Sequence, residues 1–266
     1  MDNKNIKNLS LIKYPSIFDC NIAVIGLGYV GLPLAIQFSI QKNCLRTNKP
    51  LNRKVIGFDV NKKRIEELTN LFDRTKEVSY DLLKVASENI SFTSKVDEVE
   101  NIDVFIITVP TPIDLNNKPN LGYIKSATQN VANLLRKRKN KKNNNAKLPF
   151  IIYESTFFPG ATEEICIPII EEVTNFKLNE DFFCGYSPER INPGDKKHRL
   201  TDVIKVTSGS NIEASKWIDN LYGTIIKAGT FRTNSIKVAE AAKVIENTQR
   251  DINIAFVNEV AMICKA

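Results

Sequence analysis

Four near-continuous apolar runs, separated by stretches long enough for helices, predict an α/β fold: a doubly wound, mostly parallel sheet. The runs are Ile22–Ile25, Val55–Phe58, Val104–Val109 and Phe150–Tyr153. None shows the polar alternation of a half-exposed sheet, as expected for parallel strands covered on both faces. Lys62–Leu71 and Tyr123–Lys137 are two of the stretches that suit crossover helices. Shorter strand-like runs follow at Phe182–Gly185 and Val203–Thr207.

The first run leads directly into Gly26, Gly28 and Gly31, a G-x-G-x-x-G that opens a helical stretch, with Tyr29 and Val30 inside it. In such a turn the first glycine allows the tight reversal. The second lets the backbone approach a pyrophosphate, and the third lets helix pack on strand. The pyrophosphate then lies on the unpaired N–H groups at the positive end of the helix. Strand, turn and helix are all present, so the segment reads as a Rossmann-type dinucleotide site. Asp59 closes the second run, where an acid accepts hydrogen bonds from the adenosine ribose and favours NAD over its 2′-phosphate form. Gly31 and Asp59 are 28 positions apart, longer than the ~20 of the usual fingerprint. The polar insert Gln41–Lys54 accounts for the excess. Arg64 is placed either to reach the adenosine side or to lie solvated on its helix.

Composition excludes several classes. The 266 residues carry a net charge of +7 and 42% apolar residues, enough for a sizeable core. The charge is local: Arg136, Lys137, Arg138, Lys139, Lys141, Lys142 and Lys147 account for all of it, with no acid among them. A balanced remainder does not predict a nucleic-acid surface, and the basic segment reads as a polar, solvated loop. The five cysteines, Cys20, Cys44, Cys166, Cys184 and Cys264, are scattered without a C-x-x-C. That predicts no metal site, and reduced thiols in a cytoplasmic protein. The N-terminus lacks a signal-peptide h-region. Ile22–Ile36 is uncharged but shorter than the ~20 residues a membrane span needs, so no span is expected.

Ser235–Lys265 is one long helical pattern without Gly or Pro. At 1.5 Å per residue it would run on the order of 45 Å. Val238, Ala242, Ile245, Ile252, Phe256 and Ile263 make an apolar stripe, and Lys243, Asn247 and Arg250 a narrow second stripe roughly opposite. The second stripe is either ordinary surface or a site, where Lys243 could stabilise an alkoxide or take its proton once burial lowers its pKa. His198, in a basic loop, reads as a solvated residue.

These segments together resemble the UDP-glucose/GDP-mannose dehydrogenase family. The matching stretches are IAVIGLGYVGLPLA, VPTP at Val109–Pro112, EST at Glu154–Thr156, YSPERINPGDKKHRL at Tyr186–Leu200 and SIKVAEAAKVIENTQRDINIAFVNE at Ser235–Glu259. The two longest look like the branch that acts on UDP-N-acetylhexosamines and supplies uronic acids for O-antigen and capsular polysaccharides. The resemblance implies that Thr111 and Thr156 contact NAD and that Glu189 with Thr156 orders a water. Arg190, Ile191 and Arg250 would meet the sugar nucleotide, with Lys243 as general acid/base and Asn247 holding the reacting oxygen. Without the resemblance, Glu189 could simply brace a turn and Thr156 could end a strand. The implied division is an extension over 1–18, an NAD-binding domain over 19–210 and the start of a central helical, dimer-forming domain over 211–266. The family's nucleophilic cysteine and UDP-binding half are expected in a C-terminal part that this chain lacks, so that the chain alone binds NAD without sustained turnover. A single-step dehydrogenase of the β-hydroxyacid type, using Lys243 and Asn247, and a non-catalytic NAD-binding module are the alternatives.

Overall fold

A computed structural model describes residues 14–99, 101–116, 118–140, 147–190 and 200–265. Six strands form one all-parallel sheet: β1 Ile22–Ile25, β2 Val55–Phe58, β3 Ile90–Thr93, β4 Val104–Ile107, β5 Phe150–Tyr153 and β6 Phe183–Tyr186. Their order is β3-β2-β1-β4-β5-β6. The order therefore reverses between β1 and β4, the position where open α/β sheets bind ligands beyond the carboxyl ends of their strands.

The strands read as continuous apolar runs because successive residues enter two different cores. Ile22 and Val24, Val104 and Ile106, and Phe150 and Ile152 join one cluster. Ala23 and Ile25, Phe105 and Ile107, and Ile151 and Tyr153 join the other. The first core is covered by α1 Gly31–Ile40, α2 Lys62–Thr69, α3 Tyr80–Ala86 and α6 Ile212–Gly223. The second is covered by α4 Gly122–Asn140, α5 Ile167–Thr174 and the first turns of α7 Ile236–Ile263. Ala214, Ile218, Leu221 and Tyr222 give α6 an i, i+4, i+7, i+8 apolar face buried on the sheet. Helix α6 thus packs on the sheet beyond residue 210.

Two strands escape the hydrophobic pattern. Edge strand β3 alternates, with Ser91 exposed between buried Ile90 and half-buried Phe92. Thr230–Arg232 forms β8, which pairs in parallel with β7 Lys205–Thr207 in a separate two-stranded sheet. The insert Gln41–Lys54 is pinned rather than loose. Asn43 bridges Pro50, Arg46 pairs with Asp219 at 3.0 Å, and Arg53 donates to the Thr224 hydroxyl at 2.6 Å. Of the expected extension, the end of the segment is docked: Trp217 Nε1 donates to the Pro15 carbonyl at 2.8 Å, and the Tyr14 ring lies 5.0 Å from that of Phe183. Residues 1–13, Ile191, His198 and residues 141–146 of the basic loop lie outside the described residues.

The long helix α7 starts where expected, with the Ser235 hydroxyl capping Val238 N. Only its beginning rests on the sheet unit, through buried Ile236, Ala239 and Glu240. From Asp251 to Lys265 every residue is exposed. Among the described residues, no helix is long and apolar enough to cross a membrane.

Candidate functional site

The glycine turn is held from three sides. Gly26 has φ +96°, a conformation that side chains resist. A Cβ on Gly31 would lie 1.8 Å from the Gly26 carbonyl oxygen, so only glycine lets α1 start this close to β1. The Thr108 hydroxyl, at the end of β4, donates to the Gly26 carbonyl at 2.7 Å. No side chain caps α1, and no acid occupies its first turn. Its N-terminal field is thus left for an outside anion. A Cβ on Gly28 would meet nothing within 4 Å, so the loop is open on that side.

Leu27 is the hub of the turn. Its N–H donates to Asp59 Oδ2 at 2.8 Å, and its carbonyl accepts from Arg64 Nε at 2.9 Å. Asp59 Oδ1 also accepts from Asn61 N at 2.9 Å, so the acid ties the ends of β1 and β2 together. Arg64 is neither solvated nor reaching freely across the surface: it is buried, with Nη2 2.8 Å from the wholly buried carboxylate of Asp73. Hydrogen bonds from Thr75, Val78 and Arg64 outweigh the effect of burial on Asp73 and hold its pKa below the usual carboxylate value. An apolar cleft lined by Ile25, Phe58, Val96, Val99 and Val131 lies beside the ends of β1 and β2. Together the glycine turn, the uncapped helix and the acid after β2 fit a dinucleotide.

The loops after β4 and β5 meet at the same edge. The Thr111 hydroxyl donates to the Thr156 carbonyl at 2.8 Å, joining VPTP to EST. The Ser155 hydroxyl donates to the Val109 carbonyl at 2.5 Å.

The loop after β6 and helix α7 also converge. Lys243 Nζ donates to the backbone carbonyl of Glu189. Burial lowers the Lys243 pKa, and the cations Lys205 and Arg190 add to that, against the raising effect of Glu189 and Glu246. Arg190 Nε lies 2.6 Å from Glu246 Oε2, while Arg250 donates to Glu246 Oε1 at 2.9 Å. The two expected arginines thus share a carboxylate that sequence reasoning did not single out. Asn247 is exposed one turn beyond Lys243. Of the polar stripe, Lys243 reaches the sheet unit at the loop after β6, and Arg250 meets Glu246 on α7 itself. Val238, Ile245, Ile252, Phe256 and Ile263 of the apolar stripe are exposed.

Beneath this lies a buried cluster. Glu154 accepts from Lys205 Nζ at 2.6 Å and from the Tyr222 hydroxyl. Burial raises the Glu154 pKa, and Lys205 opposes that. Glu240 on α7, fully buried, accepts from Gly160 N at 2.6 Å, Thr162 N at 2.9 Å and the Thr162 hydroxyl at 2.6 Å. It fastens α7 to the start of the segment leading to α5. Three of the thiols are made less reactive by burial, which pushes those of Cys20 and Cys166 up to about 12 and that of Cys184 well above its usual value. The Cys44 thiol, away from this cluster, is held below its usual value by hydrogen bonds that outweigh burial. Among the described residues, no three His, Cys, Asp or Glu side chains gather as a metal site.

The family model "UDP-glucose/GDP-mannose dehydrogenase family, NAD binding domain" matches residues 20–226, and the same family's "central domain" matches 237–266. The chain is 50% identical over 245 residues to a UDP-N-acetyl-D-glucosamine 6-dehydrogenase of Pseudomonas aeruginosa, covering 92% of this chain and 53% of that protein. It is 48% identical over 247 residues to a protein of the same name from Salmonella typhi, covering 93% and 53%. A UDP-D-ManNAc dehydrogenase structure from Pyrococcus horikoshii superposes with a TM-score of 0.76 at 30% identity, covering 91% of this chain and 53% of that one. The chain spans about half the length of the curated relatives it matches.

Proposed function

The chain belongs to the UDP-glucose/GDP-mannose dehydrogenase family, and on that premise we propose that it is the NAD-binding part of a UDP-N-acetylhexosamine 6-dehydrogenase serving surface-polysaccharide synthesis. The observation that carries this reading is the meeting of Lys243, on α7, with Glu189, on the loop after β6. That contact sets a half-buried amine at the carboxyl edge of the sheet that also holds the glycine turn.

Gly26, Gly28, Tyr29, Val30 and Gly31 would hold the pyrophosphate, Asp59 the ribose, and Thr111 with Thr156 the nicotinamide side. Arg64 acts through the Leu27 carbonyl rather than by touching the cofactor. When bound, NAD supplies the acceptor for the hydride leaving C6 of the sugar. The chain's own residues supply the proton chemistry. A lysine whose pKa is lowered by burial has a larger neutral fraction near neutral pH, as a base for the C6 hydroxyl proton requires. Asn247 presents an amide to the same oxygen. Glu189 and Thr156 are suited to order a water. Arg190 and Arg250, oriented by Glu246, and Ile191 would meet the sugar nucleotide. The exposed apolar stripe of α7 supports cover by another body, and a homodimer through this helix is our reading of it. The free thiols support a cytoplasmic location.

Titration calorimetry of the chain with NAD⁺ tests the cofactor, and saturable binding is expected. No heat of binding overturns it. Ligand-observed NMR with UDP-N-acetylglucosamine and NAD⁺ tests the substrate, with loss of signal expected in Arg190→Ala and Arg250→Ala. Equal signals in wild type and both variants overturn that assignment.

A further inference from the structure

Lys205 has no role in the site as described so far, yet it is the most enclosed cation near it, with a side chain 3% exposed. It opens β7, within an apolar stretch, and faces three partners. Its Nζ lies 2.6 Å from Glu154 Oε2, 3.3 Å from the Pro188 carbonyl and 3.9 Å from Glu189 Oε2. It also lies 5.5 Å from the centre of the Tyr222 ring, whose hydroxyl donates to Glu154.

We propose that Lys205 is a positioning residue: it holds the 188–190 turn and the Glu189 carboxylate in place beneath Lys243. The proposal rests on the reading of Glu189 and Lys243 as site residues. Charge balance supports it. Glu154 and Glu189 are two nearly enclosed carboxylates, and Lys205 is the cation that touches both. Lys243 approaches from α7 onto the Glu189 carbonyl and restores neutrality. The turn is then fixed at consecutive atoms: Lys205 on the Pro188 carbonyl and the Glu189 carboxylate, Lys243 on the Glu189 carbonyl, and Glu246 on Arg190. A buried carboxylate stripped of its cation is strongly unfavourable. Glu154 serves this arrangement as the anchor that fixes Lys205, itself fixed by Tyr222.

The titratable groups facing the Lys243 amine are Glu189 and Arg190 from the turn, Lys205 from β7 and Glu246 from α7 itself. Competitive amine labelling of the folded chain across pH, read residue by residue by mass spectrometry, therefore reports on Lys205 without requiring turnover. In the double variant Lys205→Met/Glu154→Gln, which removes a neutral pair, the Lys243 midpoint is expected to move to higher pH, so its labelling rate at a fixed lower pH falls. Lys205→Arg, which keeps the cation, stays near wild type. If the double variant does not fold, Lys205→Gln, with Glu154 free to take a proton, is expected to show the same upward move. An unchanged or lowered midpoint in either folded variant overturns the proposal. Failure of NAD⁺ to bind overturns the functional reading instead and leaves the labelling result standing.

Discussion

The glycine turn makes a prediction in which two neighbouring substitutions of the same chemistry have opposite consequences. In Gly31→Ala, the new methyl would lie 1.8 Å from the Gly26 carbonyl oxygen and 2.3 Å from the Thr108 hydroxyl. The first is backbone of the turn and the second is a hydroxyl held by the Ile25 and Gly26 carbonyls, so α1 must move away from β1. Forcing a methyl into packed structure costs about 1–3 kcal/mol, a fall of roughly 2–12 °C in melting temperature for a domain of this size. In Gly28→Ala, the methyl meets nothing within 4 Å, and the backbone is not in the left-handed region. Its stability is expected unchanged, or higher by about 0.4–1 kcal/mol through a less flexible unfolded chain. Yet that methyl fills the face over which a pyrophosphate approaches, so NAD⁺ affinity falls at least about tenfold, about 1.4 kcal/mol. Differential scanning fluorimetry and calorimetry read the two quantities separately. A Gly28→Ala chain that melts as early as Gly31→Ala, or that binds NAD⁺ as tightly as wild type, would refute the assignment of the loop.

The chain is expected to bind NAD⁺ at least about tenfold more tightly than NADP⁺, and Asp59→Asn to narrow that ratio; competition calorimetry checks both. Lys243, whose pKa is lowered in the fold, disfavours folding most while it is charged, below its folded pKa, and the cost disappears as pH rises toward its unfolded value. The stability of wild type relative to Lys243→Met is therefore expected to improve as pH is raised through that window, read as denaturant midpoints at successive pH values. Brief alkylation of the native chain is expected to place a single label, on exposed Cys264, with Cys20, Cys44, Cys166 and Cys184 protected by burial; peptide mass spectrometry counts the labels.

The parts of the fold that were legible are those in which one segment carries its own signal. Strands β1, β2, β4 and β5 are apolar at every position because both faces are covered. α7 announces itself by length and periodicity. β3 and β8 carry no such signal. Ser91 faces solvent on an edge strand, and Thr230–Arg232 is held in place by its pairing with β7, not by a hydrophobic pattern of its own. The place of α6 on the sheet is not legible for a related reason. The apolar face of α6 becomes a sheet contact only once β6 is known to lie beneath it.

The site divides in the same way, and the division has a physical origin. Gly26, Gly31 and Asp59 are constrained by backbone space and by strand ends, which are local and visible. Lys205, Glu154, Glu240 and Glu246 are constrained by partners 4 to 80 residues away. A lysine in a strand-like run gives one clue, because an enclosed cation in apolar sequence must have a partner. Glu240 gives another, flanked by Ala239 and Ala241 on a face that buries Ile236. Such a carboxylate is stable only against donors, and Gly160 N, Thr162 N and the Thr162 hydroxyl are those donors. Because Glu240 lies one turn before Lys243, this long-range contact sets the register of α7 on the sheet. It is the reason that Lys243 meets the turn after β6 while Val238, Ile245 and Ile252 of the apolar stripe stay exposed.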